Sequence, residues 1–375
     1  MRGNIVADKK FKFADLFAGA GGFTVGFKQA GYKPIKAVEF DASIAETYKK
    51  NNPSTKMLVD DIKNVDQTNE FKFHDVDIIV GGPPCQGFSM AGARNRNGFM
   101  GDPRNYLFKH YFNIVKKVKP KAFVLENVKG LLSMEKGAIF KEIKRIFSDK
   151  DLLNGDYYNL YWKVVKAVDF GIPQKRERVV VIGVLNGTYT DLDFEKIWEH
   201  TKKQLARKKP TFFDPVLLRD AIGNMPSPTT DGVIKDPKPV TDYEKYLYYK
   251  GLIYNHASRN YSKKVLARLS QINPGENFTK LNENIKSVHS GSYGRMKWTE
   301  PTMTITTRFD TPSGGRFTLP DQDRTLTVRE AARIQSFPDS YRFYGNKTSV
   351  NKQVGNAVPP KLAYFLALYL KNLLV

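Results

Sequence analysis

The run Phe11-Lys12-Phe13-Ala14-Asp15-Leu16-Phe17 reads as a β-strand, and it breaks at once into Ala18-Gly19-Ala20-Gly21-Gly22. A helix is expected from about Phe23 to Ala30. Strand, glycine turn and helix in that order bring a ligand against backbone N–H groups and a helix amino end. A second strand over Ile35 to Phe40 carries Glu39 at its end. An acidic residue about 20 positions after such a turn is placed to accept hydrogen bonds from ribose hydroxyls. Phe40 stands beside it, where a ring can cover an adenine face. The next strand ends at Asp60-Asp61-Ile62, where a carboxylate can accept from an adenine amino group. The first third of the chain therefore predicts a nucleoside site in an α/β domain.

A glycine turn does not by itself separate a nicotinamide dinucleotide from S-adenosylmethionine. Here the spacing is Gly-Ala-Gly-Gly, not the Gly-x-Gly-x-x-Gly that packs against a pyrophosphate, which turns the reading away from a dehydrogenase. The next apolar run, Val76-Asp77-Ile78-Ile79-Val80, suits a buried strand. It leads into Gly81-Gly82-Pro83-Pro84-Cys85-Gln86-Gly87-Phe88-Ser89, a turn stiffened by two prolines. Cys85 is the chain's one cysteine. A lone cysteine is commonly a small buried hydrophobe, but strand ends in open α/β sheets are where ligands bind, so the turn presents Cys85 as a nucleophile. The loop from Met90 to Tyr106 holds Arg94, Arg96 and Arg104, and its basic residues beside the thiol suit a cover over a phosphate-bearing substrate.

Farther on, the strand Ala122 to Leu125 ends in Glu126-Asn127-Val128, a carboxylate on the same sheet edge as Cys85. Gly171 to Arg178 then runs into an apolar strand, with Arg176 and Arg178 on one face of an extended segment; one or both can be structural partners of acidic neighbours. A helix is expected from Leu192 to Lys209. Regular periodicity then fades into Pro, Gly, Asn and Tyr until about Asp323. Stretches such as Tyr254-Asn255-His256 and Thr306-Thr307-Arg308 suit contacts to bases and phosphates. Order returns with a helix over Thr327 to Gln335, a turn over Gln353 to Pro360 and a largely apolar last helix, Lys361 to Leu374, which must be buried.

Composition narrows the partners. Sixty Lys and Arg against 38 Asp and Glu give a formal charge of +22, a balance suited to a polyanion. No apolar stretch approaches a membrane span, and Met1 to Lys12 lacks the apolar core of a secretory signal. One cysteine excludes an internal disulfide and fits a reducing cytoplasm. Histidines 74, 110, 200, 256 and 289 show no ligand-like spacing, so no metal is expected.

Taken together, the blocks resemble the cytosine-C5 DNA methyltransferase family of the bacterial restriction-modification type. Asp15-Leu16-Phe17-Ala18-Gly19 with Gly21-Gly22, Pro83-Pro84-Cys85-Gln86, Glu126-Asn127-Val128, Gln174 to Arg178, Arg329-Glu330 through Pro338, and Gln353-Val354-Gly355-Asn356 look like that family's motifs in its order. The resemblance implies a Rossmann-like S-adenosylmethionine-dependent methyltransferase domain with a mixed sheet. That domain spans residues 1–190, completed by 346–375, with a smaller irregular target-recognition domain over 191–345. It implies Cys85 as the thiolate attacking C6 of a flipped cytosine, Glu126 at N3 and the exocyclic amine, Arg178 at O2 and Arg176 in support. Phe17, Gly19, Gly21, Gly22, Glu39, Phe40, Asp61, Ile62, Leu107, Asn356 and Val358 match cofactor-binding positions, with S-adenosylhomocysteine as product. Ser89, Arg104 and Arg308 are the expected DNA contacts, and the loop from Ser89 to Tyr106 matches a mobile cover. The implied partner is double-stranded DNA, bound by a monomer in the cytoplasm at the nucleoid, with a cognate endonuclease acting on the same site. A tRNA methyltransferase on the same fold is the nearest rival; Gln86-Gly87-Phe88-Ser89 and the long recognition region favour DNA. A catalytically silent DNA-binding module is disfavoured because every expected reactive residue is present.

Overall fold

The computed structural model describes residues 10–84, 106–186, 193–235, 237–283, 285 and 290–374. The chain begins β1 (Lys12–Leu16), α1 (Gly22–Gln29), β2 (Lys33–Glu39), α2 (Ala42–Asn51), β3 (Lys56–Val59), α3 (Ile62–Val65) and β4 (Ile78–Gly81). It continues through α4 (Leu107–Val118), β5 (Ala122–Val128), α5 (Ala138–Ser148), β6 (Tyr158–Lys166), β7 (Gln174–Lys175) and β8 (Glu177–Leu185). Then follow α6 (Phe194–Lys208), α7 (Leu218–Ile222), β9 (Ile234–Lys235), α8 (Asp242–Leu247), β10 (Leu252–Ile253), α9 (Lys263–Leu269) and β11 (Thr302–Met303). The last helices are α10 (Val328–Ile334), α11 (Lys347–Asn356) and α12 (Pro360–Leu374).

Seven strands form one sheet in the order β3-β2-β1-β4-β5-β8-β6. The first five are parallel, and β8 runs antiparallel to both β5 and β6, so the sheet is mixed as expected. Strand β4 is buried along its whole length, which explains its unbroken Ile-Ile-Val run, since a central parallel strand is covered on both faces. From β1 the chain moves outward to β2 and β3, then returns to β4 on the other side. This reversal opens a crevice at the carboxyl ends of β1 and β4, where ligands of such sheets bind.

One face is covered by α1, α6 and α12, whose core includes Phe13, Phe27, Trp198, Leu366 and Leu370. On the other, α4 and α5 contribute Tyr111, Phe112, Ile143 and Phe147. Helix α12 is buried nearly all round, as its composition requires. Each of its fully buried Leu and Phe side chains contributes about 1.5–3 kcal/mol at most.

Two expectations need correction. The stretch Gln353 to Asn356 is not a turn but the last turn of α11, whose cap Asn346 accepts from the Ser349 N–H at 2.9 Å. Only Ala357 to Pro359 leaves the helix, where the residue before Pro359 is pushed off helical geometry. Strand β5 likewise runs past Leu125 to Val128, because β8 extends alongside it and pairs Val128 with Arg178.

Residues between α6 and α12 form shorter helices and two-residue strands around a separate cluster that includes Leu218, Tyr243, Phe309, Phe317 and Phe337. Ala20 and Val25 belong to the same cluster, so this irregular part packs directly on the first glycine turn. Irregular backbone leaves carbonyls without ladder partners, and buried arginines satisfy them. Arg295 donates to the carbonyls of Leu269, Ile272, Leu319 and Gln322, and Arg329 to those of Tyr254, Pro338 and Tyr341. Arg333 makes a two-pronged pair with Asp339 at 2.9 and 2.7 Å, and Arg324 does so with Glu330 at 2.8 and 2.7 Å.

Candidate active site

The crevice begins where β1 ends. Phe17 (φ 58), Gly19 (φ 55) and Gly21 (φ 85) all lie in the left-handed region, and for Phe17 that conformation costs on the order of 1–3 kcal/mol. The turn is closed by the Gly21 N–H donating to Ala18 O at 2.8 Å. Gly22 has a different reason to lack a side chain: a Cβ there would lie 2.1 Å from Val358 O. This contact brings Val358 and the end of α11 to the turn, so Asn356, which is exposed, shares the crevice with residues more than 300 positions earlier.

Glu39 closes the turn from the side. Its Oε2 accepts from the Gly19 N–H at 2.9 Å and its Oε1 from the Asp41 N–H at 3.0 Å. Burial raises its pKa, opposed by those backbone donors. Phe40 is 72% exposed beside it, an uncovered ring at a strand end. Asp61 caps α3 by accepting from the Lys63 N–H at 3.0 Å. Ile62 and Leu107 are buried in the core behind the crevice. Beneath the turn, Asp15 accepts from Thr24 Oγ1 at 2.7 Å, and burial pushes its carboxyl up to about 8.

The second half of the site lies across β4. Asn127 Nδ2 donates to Pro83 O at 2.9 Å and ties β5 to the proline turn. A side chain at Gly82 would begin 3.3 Å from Glu126 Oε2, so the carboxylate stands over the turn that leads into Cys85. Cys85, Ser89 and Arg104 lie outside the described residues. Glu126 is itself buried, and its Oε1 is 3.1 Å from Arg178 Nε. Among the described residues this charge pairing with Arg178 is what holds Oε1. A buried oxygen in this state favours a donor arriving from outside.

The two arginines separate. Arg178 keeps its head partly accessible and donates to Glu177 O at 2.7 Å. Its pKa is lowered by burial, with Glu126 opposing. Arg176 is buried, donates to Gly355 O at 3.3 Å and Ala357 O at 3.1 Å, and is pushed down to about 9 by burial and by Arg178. It therefore ties the junction of β7 and β8 to the two residues flanking Asn356. Gln174 adds a second link, with Nε2 2.6 Å from Gln335 Oε1 and Oε1 accepting from the Ile305 N–H at 3.3 Å. Both glutamines fall in motif blocks visible in the sequence, but nothing local showed that they meet.

Arg308 is exposed in the segment that packs on α11. Asn255 and His256 are not offered to a nucleic acid: Asn255 bonds both backbone groups of Phe343. His256 is buried between Thr327 Oγ1 at 2.9 Å and Pro226 O at 2.8 Å.

A mixed sheet with a switch-point crevice, a closed glycine turn on one side and a carboxylate–guanidinium pair on the other defines a Rossmann-like α/β methyltransferase domain. The model of the C-5 cytosine-specific DNA methylase family matches residues 11–372, and the chain belongs to that family: it is a DNA cytosine methyltransferase. It is 34% identical over 360 residues to Type II methyltransferase M1.HphI of Haemophilus parahaemolyticus, covering 95% of this chain and 85% of that one. It is 34% identical to Type II methyltransferase M.DdeI of Desulfomicrobium norvegicum, covering 94% and 86%. Among solved structures, a protein described as a DNA modification methyltransferase encoded within an E. coli prophage superposes with a TM-score of 0.75 at 25% identity, covering 97% and 99%. The S. pombe Dnmt2 methyltransferase shares the fold, with a TM-score of 0.61 at 17% identity and coverage of 97% and 99%.

Proposed function

We propose that the protein transfers a methyl group from S-adenosylmethionine to C5 of a cytosine flipped out of duplex DNA, with S-adenosylhomocysteine as product. The observation that carries this reading is the buried Glu126 carboxylate beside the proline turn, with Arg178 Nε 3.1 Å away. The turn at Phe17, Gly19, Gly21 and Gly22, with Glu39, Phe40, Asp61, Ile62, Leu107, Asn356 and Val358, would hold the cofactor. Its exposed aromatic face and carboxylates suit an adenosine. When bound, S-adenosylmethionine supplies an electrophilic methyl on a sulfonium.

The chain's own groups do the rest. Cys85 thiolate bonds to C6, and the C5–C6 electron pair becomes available at C5. Glu126 accepts from the exocyclic amine and passes a proton to N3, which offsets the negative charge that develops on the ring, and Arg178 donates to O2. Arg176 holds Arg178 and the Asn356 linker in register. C5 takes the methyl as S-adenosylhomocysteine departs, then gives its proton to water in the pocket, and the thiolate leaves C6, restoring the double bond. Ser89, Arg104 and Arg308 serve as DNA contacts, and residues 191–345 as the target-recognition domain on a catalytic domain of 1–190 and 346–375. On this reading the protein works as a cytoplasmic, nucleoid-associated monomer, and the Type II designation of its relatives favours a cognate restriction endonuclease acting on the same site.

Transfer of labelled methyl from S-adenosylmethionine to duplex DNA, with recovery of 5-methylcytosine, tests the reading. Cys85→Ser should abolish transfer and leave S-adenosylmethionine binding intact. Retained transfer removes the nucleophile assignment, and labelling of tRNA alone replaces the substrate.

A further inference from the structure

Helix α12 carries one lysine in its first turn, and it is buried. Lys361 is 3% exposed, among the residues that sequence reading passed over; a cation in the first turn of an otherwise apolar helix was the available signal. Its N–H donates to Ser336 Oγ at 3.0 Å and its Nζ to Gly171 O at 3.0 Å. Three aromatic rings surround the ammonium: Phe212 at 4.6 Å, and Tyr243 and Tyr246 at 5.4 Å each. Ring faces at such distances favour the charged form. Beside it opens a cavity of about 210 Å³ that Lys361 itself lines.

Gly171 is the tip of a loop that leaves β6 and returns through β7 into β8, the strand that carries Arg178. The Ala167 N–H donates to Arg176 O at 2.8 Å, closing the loop across Gln174 and Lys175. At the tip, Gly171 has φ 60, and a Cβ there would lie 2.6 Å from Phe212 O and 2.7 Å from Lys361 Nζ. The loop thus has two fixed points, its closure at Arg176 and its tip at Lys361. We propose that Lys361 is a positioning residue for methyl transfer, its caged ammonium gripping the Gly171 loop and so setting where Arg176 and Arg178 stand in the base pocket. The proposal rests on the reading of Arg178 as a base contact.

The grip depends on charge. Burial pushes the Lys361 amine down to about 7, with Asp214 opposing and Lys209 adding to the fall. The other titratable groups facing it are Tyr243 and Tyr246 on α8, with Asp220 and Asp242 on the cavity wall. Rising pH therefore releases the proton and weakens the bond to Gly171.

The test compares turnover of the wild type, Lys361→Arg, Lys361→Met and Arg178→Ala on duplex DNA from about pH 6 to about pH 9. Lys361→Met should lose about tenfold or more in kcat at about pH 6, the scale of a small misplacement of catalytic groups, with S-adenosylmethionine affinity unchanged. The wild type should fall toward it through neutral pH, while Lys361→Arg, which stays charged, should not. Parallel profiles for the three, or full turnover of Lys361→Met at the acidic end, overturn the proposal. Should Lys361→Met fail to fold, the wild type against Lys361→Arg decides it. Full turnover of Arg178→Ala instead removes the base-pocket reading. Loss in Arg178→Ala with unaffected Lys361 variants removes only the role of Lys361.

Discussion

Residues with the same chemistry do different work in this site, and burial decides which. Arg176 and Arg178 are two positions apart, yet one is spent on the carbonyls of Gly355 and Ala357 while the other faces Glu126. Alternation along a strand showed that they share a side; it could not show which one meets a carbonyl and which a carboxylate. The meeting of Glu126 and Arg178 was legible because a carboxylate and a guanidinium at strand ends have few structural uses. Asp15 was not, because a carboxylate inside a strand looks the same whether it is solvated or sealed. It is sealed, at 1% exposure, and its folded pKa of about 8 lies above the ordinary 3.8. Between those values the native state binds more protons than the unfolded chain, so this group's contribution to stability is complete at acidic pH and falls as pH rises to about 8. Asp15→Asn keeps an acceptor for Thr24 and removes the proton exchange. Urea unfolding of the two proteins should diverge by roughly 1 kcal/mol per pH unit across that window, the variant gaining as pH rises. Parallel curves would mean that Asp15 is ionised in the native state.

At the scale of elements, the central strands and long helices could be read from apolar runs because each is covered on both faces or along a whole stripe. Helix α11 could not, since its buried positions contact backbone as well as side chains. Gly355 shows why: a Cβ there would meet the Thr306 carbonyl at 2.5 Å and Thr307 N at 2.7 Å. The segment after β11 lies flat on the helix at this point, and the same glycine's carbonyl accepts from Arg176. Gly355→Ala must therefore push the two elements apart. An overpacked contact of this kind costs about 1–3 kcal/mol, and the displaced carbonyl should carry Arg176 with it. The expected result is a lower unfolding midpoint together with a fall in kcat that exceeds any change in affinity for S-adenosylmethionine. A variant that is destabilised yet turns over normally would show that the contact is packing alone. The short elements between α7 and β11 were beyond sequence reading for a related reason: buried arginines bonded to loop carbonyls leave no periodic pattern.

The charge of the whole molecule takes on a narrower meaning once those arginines are placed. Arg176, Arg295, Arg324, Arg329 and Arg333 are buried among carbonyls and carboxylates, so they add to the formal +22 without being offered to a partner. What remains for a polyanion is the exposed set, with Arg308 on the segment that packs over α11 and Lys203, Arg207 and Lys208 along α6. Such contacts release counterions from DNA, and each phosphate neutralised steepens the fall of affinity with salt. Six contacts would weaken duplex binding by about a thousandfold between roughly 50 and 200 mM salt. The slope measured on a short duplex therefore counts phosphate contacts, and single substitutions apportion them. Arg308→Ala should reduce the slope by about one if its guanidinium holds a phosphate. Arg324→Met, which removes an internal charge, should leave the slope unchanged in whatever fraction folds, even as it lowers stability. A flat salt response in the wild type would mean that the exposed cations face away from the duplex, and the affinity would then have to come from contacts to bases alone.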